Sequence, residues 1–338
     1  MLPVFPGKHR QQLDRIPMIL IFSSAFDLDT DEVVRCLHLQ GKKYLRINDV
    51  TIFENETTVR LEPGSGVSQL VIGGHILNIA EVTTVWIRKI GLSDWSPYFM
   101  ELSQCVSEDT KRYQYREYNA FLVFLFGIFR HCYWPVDRRH LSLNKLDILC
   151  EARDSGFLIP DTLLTNRLNS LRTFFKSNSQ EVITKAITNS AAIVYKDLAI
   201  ILPTQKITPD HLSHLPESFI ISKFQKNIKK KFEARVFFFQ GKCYGMAILS
   251  QLDPQTEVDF RKYNYAKPNR CIPLKVSKEV RKKIRRFMKK INLDTGSLDF
   301  IVDKSDEYHF LEVNPYGIFN MIEEKCNYNI PYHIANGL

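Results

Sequence analysis

Two apolar segments near the C-terminus, Gly296–Val302 (GSLDFIV) and Tyr308–Asn314 (YHFLEVN), read as the strands of one hairpin, and each holds a carboxylate in its middle. Aspartate and glutamate are poor strand formers, and burying a carboxylate without a partner is costly. With Lys304–Glu307 as the connection, Asp303 stands opposite Tyr308, and the same register pairs Asp299 with Glu312. Strand side chains alternate with period two, so Glu312 and Asn314 share a face while Leu311 and Val313 take the other. Two carboxylates and an amide oxygen then converge on one patch of an apolar sheet. That donor set suits a hard cation such as magnesium.

The rest of the chain can bury such a patch. Its 338 residues allow two or three domains, and 44% of them are hydrophobic. The 23 Phe, 14 Tyr and 3 Trp exclude disorder as the main state. The longest apolar stretch, Ala120–Phe129, falls short of the ~20 residues a membrane span requires. No secretory signal is read in Met1–Arg15, which has charges but no apolar run behind them. The 46 Lys and Arg exceed the 37 Asp and Glu by nine, a moderate positive charge when spread over the whole chain. It permits nucleic acid, an anionic membrane surface, nucleotides or acidic peptides as partners. Seven cysteines without a Cys-x-x-Cys point to reduced thiols in a cytosol.

Pro17–Ser23, Asp29–Leu39 and Lys43–Ile47 read as strand, helix and strand, a parallel α/β unit. The turn after the first strand has no glycine, so a dinucleotide fingerprint is absent there. Short glycine-punctuated strands follow from Thr57 to Lys89, then a helix over about Ser107–Arg130. The middle segment opens with a helix over Asn144–Asp154, capped by Ser142. Glu181–Lys185, Ala192–Tyr195, Phe219–Phe224, Phe232–Gln240 and Lys242–Leu249 read as strands, the last two joined at Gln240-Gly241. Ser277–Ile291 is a strongly amphipathic helix.

Other side chains of interest lie around this frame. Lys145 falls in the first turn of a helix and Lys185 ends a strand. Each is a surface lysine or a point charge for phosphate. Arg235 alternates with Glu233 on one strand face and either grips a carboxylate or phosphate or makes a cross-strand ion pair. Phe224–Ile228 links two strands. His211 and His214, three residues apart without a third ligand nearby, read as ordinary surface or core histidines. The basic face of Ser277–Ile291 reads as a solvated surface, with nucleic acid or acidic peptide as the alternative. No P-loop, nucleophile elbow, zinc-protease or kinase motif is present.

The Asp299 strand followed by Glu312-Val313-Asn314 resembles the signature of ATP-grasp ligases. The chain is most similar to microviridin-type peptide ligases, the graspetide maturases, in particular those of grasp-with-spasm systems. The resemblance extends over nearly the whole chain. Its further tokens are Val85-Trp86-Ile87-Arg88-Lys89, Trp134-Pro135, Asn144-Lys145, Ile159-Pro160-Asp161-Thr162, Phe232-Glu233-Ala234-Arg235, Asp259-Phe260-Arg261 and Cys326-Asn327-Tyr328. Each is weak, but their order and spacing are specific. The resemblance implies an α/β ATP-grasp fold of three domains, at 1–137, 138–222 and 223–338, with ATP between the last two. It implies that Lys145 and Lys185 contact ATP phosphates, and that the backbone of Gln225, Lys226, Asn227 and Ile228 reads adenine. Asp299, Glu312 and Asn314 would hold Mg2+. Arg235 would stand near the transferred phosphate or substrate carboxylate, and Arg261 in the active-site loop. Where the family has Gly-Gln-Phe, this chain has Gly317-Ile318-Phe319, so the role of that glutamine does not carry over to Ile318.

The activity so implied is ATP-dependent closure of ω-ester or ω-amide rings in a ribosomal precursor peptide. A Glu or Asp side chain would be joined to Thr, Ser or Lys. The partner is the precursor, leader plus core, in a bacterial cytoplasm, with no membrane association. Nucleic acid is the less favoured partner and a homodimer is left open. The alternatives are a RimK-like ligase that adds amino acids to a carboxylate and a basic nucleic-acid-binding protein.

Overall fold

The computed structural model describes residues 17–64, 66–88, 106–136, 143–188, 192–195, 198–201, 204–262 and 264–338. It divides into two compact units, Met1–Pro135 with Pro331–Leu338, and Val136–Ile330. The expected domain 223–338 thus has its last eight residues in the first unit, and the expected boundary at 222/223 falls inside a strand, Ser218–Lys226.

In the first unit the chain runs through β1 (Met18–Ser23), α1 (Leu28–Leu39), β2 (Lys43–Asn48), α2 (Asp49–Glu54), β3 (Thr58–Glu62), β4 (Gly66–Ile72), β5 (His75–Ile76), β6 (Val82–Ile87) and α3 (Glu108–Ile128). β1 is the centre of a parallel sheet, order β2-β1-β6, and all six of its residues are buried. That burial on both faces is why the sequence Met-Ile-Leu-Ile-Phe-Ser does not alternate. Beyond the end of β6, Arg88 is 1% exposed, with Nε 3.2 Å from Asp27 and Nη2 2.7 Å from Asp29. The guanidinium of the Trp-Ile-Arg token is therefore part of a buried ion cluster, and it also lies over the Trp86 ring.

The second unit contains α4 (Lys145–Asp154), β7 (Thr162–Arg167), α5 (Leu168–Ser177), β8 (Val182–Thr184), β9 (Ala192–Tyr195), β10 (Leu198–Ile201), β11 (Gln205–Lys206), α6 (Pro209–His214), β12 (Ser218–Lys226), β13 (Lys230–Phe239), β14 (Lys242–Leu249), β15 (Arg270–Leu274), α7 (Lys278–Lys290), β16 (Thr295–Asp303), β17 (Tyr308–Asn314) and α8 (Asn320–Cys326). Two antiparallel sheets organise it, β11-β8-β12-β7 and β15-β14-β13-β16-β17. In the four-stranded sheet, Val182 and Phe224 pack with Leu168, Leu171 and Phe175 of α5 and its N-terminus. In the five-stranded sheet, Ala234, Leu298, Phe300, Val302 and Phe310 pack against α4 and α7 through Ile148, Leu149, Ile284, Phe287 and Met288. A row of apolar residues at helical spacing on α7 meets a row at strand spacing on β16, so both elements bury one face only.

Three local expectations are revised. Ser142 lies outside the described residues, and the cap of α4 is Asn144, whose side chain accepts from the amides of Leu146 and Asp147. Gln225 and Lys226 belong to β12, and only Asn227–Lys229 link it to β13. The positive charge is not spread over the chain. Helix α7 has eight Lys and Arg against one Glu, a net of seven out of nine. His211 and His214 have local roles: His211 forms a capping box with Thr208, and His214 lies 3.5 Å from Asp210. Among the described residues no helix is long and apolar enough to cross a membrane.

Candidate active site

The hairpin places its two carboxylates opposite one another, Asp299 against Glu312, by a route the alternation rule missed. Near the turn Val302 pairs with Tyr308 and Phe300 with Phe310, one residue out of step with the expected register. A bulge at Leu311 then restores it, so that Asp299 meets Glu312, Leu298 meets Val313 and Ser297 meets Asn314. Phe310 and Val313, not Leu311 and Val313, face the helical core. The bulge lets Phe310 bury itself while Glu312 emerges on the other face.

On that face a line of charge crosses three strands. Arg235 of β13 pairs with Asp299 of β16, and its Nη1 is 3.5 Å from Asp299 Oδ1. Arg235 Nε is buried and has no hydrogen-bond partner. Lys145, in the first turn of α4, donates to Glu312 Oε2 at 2.7 Å. Arg261 makes a two-pronged pair with buried Asp259, 2.9 Å at Nε and 3.0 Å at Nη2, and lies in the field of both Glu312 and Asp299. Lys185 also sits in the field of Glu312 and Lys145.

Protonation follows from these surroundings. Burial raises the Asp299 carboxyl to about 6, with Arg235 opposing and the Glu312 carboxylate adding to the rise. Glu312 is held below its ordinary range, because the lysines outweigh its burial. Burial lowers Lys185. Burial also lowers Lys223, to about 8, reinforced by Lys185 and Lys145.

Asp299 and Glu312 repel each other, and a cation held between them would relieve that repulsion. Asn314 completes the set from β17, although its Oδ1 also accepts from the Tyr316 amide. Among the described residues no three His, Cys, Asp or Glu side chains converge as a metal site. A divalent cation here would need oxygens from its ligand as well, which is the habit of magnesium at phosphates. The residues fit that ion.

The candidate adenine segment is placed less simply. The Lys226 and Asn227 amides already donate to Asp161 and Glu181 carbonyls, at 2.9 Å each. Gln225 is 2% exposed, its Nε2 donates to Thr162 Oγ1 at 2.9 Å, and its Oε1 is buried without a partner. Ile228 lies in the link to β13. In the sequence Asp259 stands out only as part of the Asp259-Phe260-Arg261 token, with no role of its own, and Lys223 does not stand out at all. Lys223 sits two residues before Gln225, on the same strand face, but only the pairing of β12 with β8 shows what it faces.

No protein-family model matches this sequence, and no curated protein matches it. Solved structures do. A Chryseobacterium gregarium RiPP-associated ATP-grasp ligase, in complex with ADP and a leader and core peptide, superposes with a TM-score of 0.81 at 25% identity. The match covers 95% of this chain and 96% of that one. The chain has the fold of an ATP-grasp ligase. Macrocyclase MdnC from Microcystis aeruginosa MRC, bound with precursor peptide MdnA, matches at TM-score 0.78 and 24% identity over 95% of this chain and 99% of its own. The ATP-grasp ligase PsnB, complexed with minimal precursor, Mg and ADP, matches at 0.72 and 19% over 94% and 95%.

Proposed function

We propose that this protein is an ATP-dependent ligase that activates Glu or Asp side chains of a ribosomal precursor peptide and closes them onto Thr, Ser or Lys side chains of the same peptide. The observation that carries the reading is the convergence of Lys145, Lys185, Arg235 and Arg261 on the Asp299–Glu312 pair in a chain with this fold. The similar structures that were solved with precursor peptides support the choice of substrate.

The chemistry follows from the parts. A free carboxylate is a poor electrophile, so the γ-phosphoryl of ATP is transferred to a peptide carboxylate. Lys145 and Lys185 neutralise the phosphates as point charges. Magnesium, held by Asp299, Glu312 and Asn314, would supply further charge neutralisation at those oxygens. Arg235, with Nε lacking a partner, fits the incoming carboxylate or the transferred phosphoryl. Arg261, fixed by Asp259, completes the positive edge. A hydroxyl or amine of the peptide attacks the acyl phosphate, phosphate leaves, and the ring closes. Gln225 Oε1 suits the exocyclic amine of adenine, with the carbonyls of the Gln225–Ile228 segment beside it. A division into three domains is part of this reading, as is the bacterial cytoplasm, where ATP is abundant and thiols stay reduced. The six described cysteines are all free.

The test is leader dependence. A leader that docks apart from the site raises the local concentration of the core. A precursor without its leader should be modified far more slowly, and leader added in trans should restore part of the rate. A RimK-like enzyme would show no such dependence and would ligate free glutamate instead.

A further inference from the structure

We propose that Lys223 is a third polyphosphate-binding lysine, acting as the cross-strand twin of Lys185. The antiparallel register of β12 with β8 runs Lys226 to Val182, Gln225 to Ile183 and Phe224 to Thr184. The next step sets Lys223 opposite Lys185, which directly follows β8. Thr184 Oγ1 donates to the Lys223 carbonyl at 3.0 Å, which keeps the two strands together at this point. Phe224 and Val182 face α5, so Lys223, Gln225, Ile183 and Lys185 face the other way. On β7 the partners of Lys223 and Gln225 on that face are Leu164 and Thr162. The register thus sets two lysines side by side on one sheet face, among Ile183, Leu164, Thr162 and Gln225. Lys223 is only 5% exposed, and among the described residues no hydrogen bond or ion pair satisfies it.

Like charges directly opposite in a ladder repel, and a buried, unpaired ammonium is costly. Glu312, whose field reaches Lys223, is already engaged by Lys145. Around the site five cations (Lys145, Lys185, Lys223, Arg235 and Arg261) face three anions (Asp259, Asp299 and Glu312), an excess of two positive charges. An anion bridging Lys185 and Lys223 removes both penalties. A triphosphate chain meets the need, and Gln225 on the same strand face, two residues along, sets the base at one end. This inference rests on the ATP reading for the nucleotide, but the anion site stands on the register alone.

The experiment compares wild type, Lys223→Met and Lys185→Met as full chains. Calorimetric titration uses inorganic tripolyphosphate and magnesium–ATP as separate probes, and the ligand-free thermal midpoint is measured alongside. Lys223→Met should weaken both ligands about tenfold, the loss of one charge-assisted contact. It should leave the ligand-free midpoint unchanged or higher, since a like-charge clash is removed. Binding of both ligands within twofold of wild type overturns the proposal, as does a lowered ligand-free midpoint, which would mark Lys223 as structural. If wild type binds tripolyphosphate through Lys223 but not ATP, the anion site stands and the nucleotide reading fails. If Lys185→Met alone loses ATP, the nucleotide reading stands and the role of Lys223 fails.

Discussion

Phe310 and Glu312 are two residues apart on one strand, yet they face opposite sides of the sheet, because Leu311 between them is a bulge. Strict alternation from Phe310 would drive Glu312 into the core. The extra residue re-aims it toward Asp299, a common use of bulges beside active sites. Deleting Leu311 would leave regular alternation with Glu312 still on the site face. Deleting Val313 would push Asn314 toward the core. The Leu311 deletion should fold and keep nucleotide affinity within about tenfold, whereas the Val313 deletion should melt earlier and lose binding. Equal damage from both, seen by thermal melts and titration, would refute this account of the strand.

Lys145 Nζ reaches Glu312 at 2.7 Å across 167 positions of sequence. Glu312→Gln removes a negative charge from the residues that would hold magnesium and weakens the hold on Lys145. Asp299→Asn acts on the same set from β16. Each should lower magnesium-dependent ATP turnover by at least about 100-fold with the fold retained. Full turnover in Glu312→Gln would remove the metal assignment. Circular dichroism of the same samples separates lost function from lost structure.

Much of this site was legible because it lies in local sequence. The hairpin strands and the buried face of α7 follow from periodicities of two and 3.6, whereas Asp299 faces Glu312 because the bulge offsets a one-residue register error at the turn. The bulge was not legible, since period-two reasoning assumes that no residue is skipped. Lys223 was missed because its meaning depends on β8, some forty residues away, and register between distant strands is not written locally. The charge of α7 was visible, but its direction was not. The helix buries Ile284, Phe287 and Met288 against the sheet face opposite Asp299 and Arg235, so its lysines do not line the site. Asn144 and Ser142 are both good caps, and only the bonds to Leu146 and Asp147 decide between them.

The lowered Lys223 has a consequence for stability. Its folded value of about 8 lies below the ordinary 10.5. Between those two pH values the unfolded chain binds more protons than the folded one, so stability rises with pH. Below about pH 8 both states are protonated and the penalty is constant. Burial raises the Cys132, Cys243 and Cys326 thiols to about 11, and they act in the opposite direction from pH 9 upward, so the Lys223 contribution is read as a difference: from pH 8 to 10.5 wild type should gain stability relative to Lys223→Met. Wild-type and Lys223→Met profiles that run parallel over this window in urea titrations would contradict the buried, charged placement.

Arg88 tests the first unit. Removing it leaves Asp27 and Asp29 buried without their cation. Arg88→Met should cost about 3–5 kcal/mol, and adding Asp27→Asn and Asp29→Asn should recover much of that. Denaturant unfolding measures both. A single variant as stable as wild type would mean that the cluster contributes little.

In the proposed reaction a peptide carboxylate takes the γ-phosphoryl of ATP. The most direct measurement supplies precursor peptide carrying heavy oxygen in its Glu and Asp carboxylates, with enzyme, ATP and magnesium, and follows the isotope by mass spectrometry. ADP is the expected nucleotide product, with one labelled oxygen in inorganic phosphate and loss of one water from the peptide for each ring. Formation of AMP and pyrophosphate, or rings closed with no label in phosphate, would contradict it.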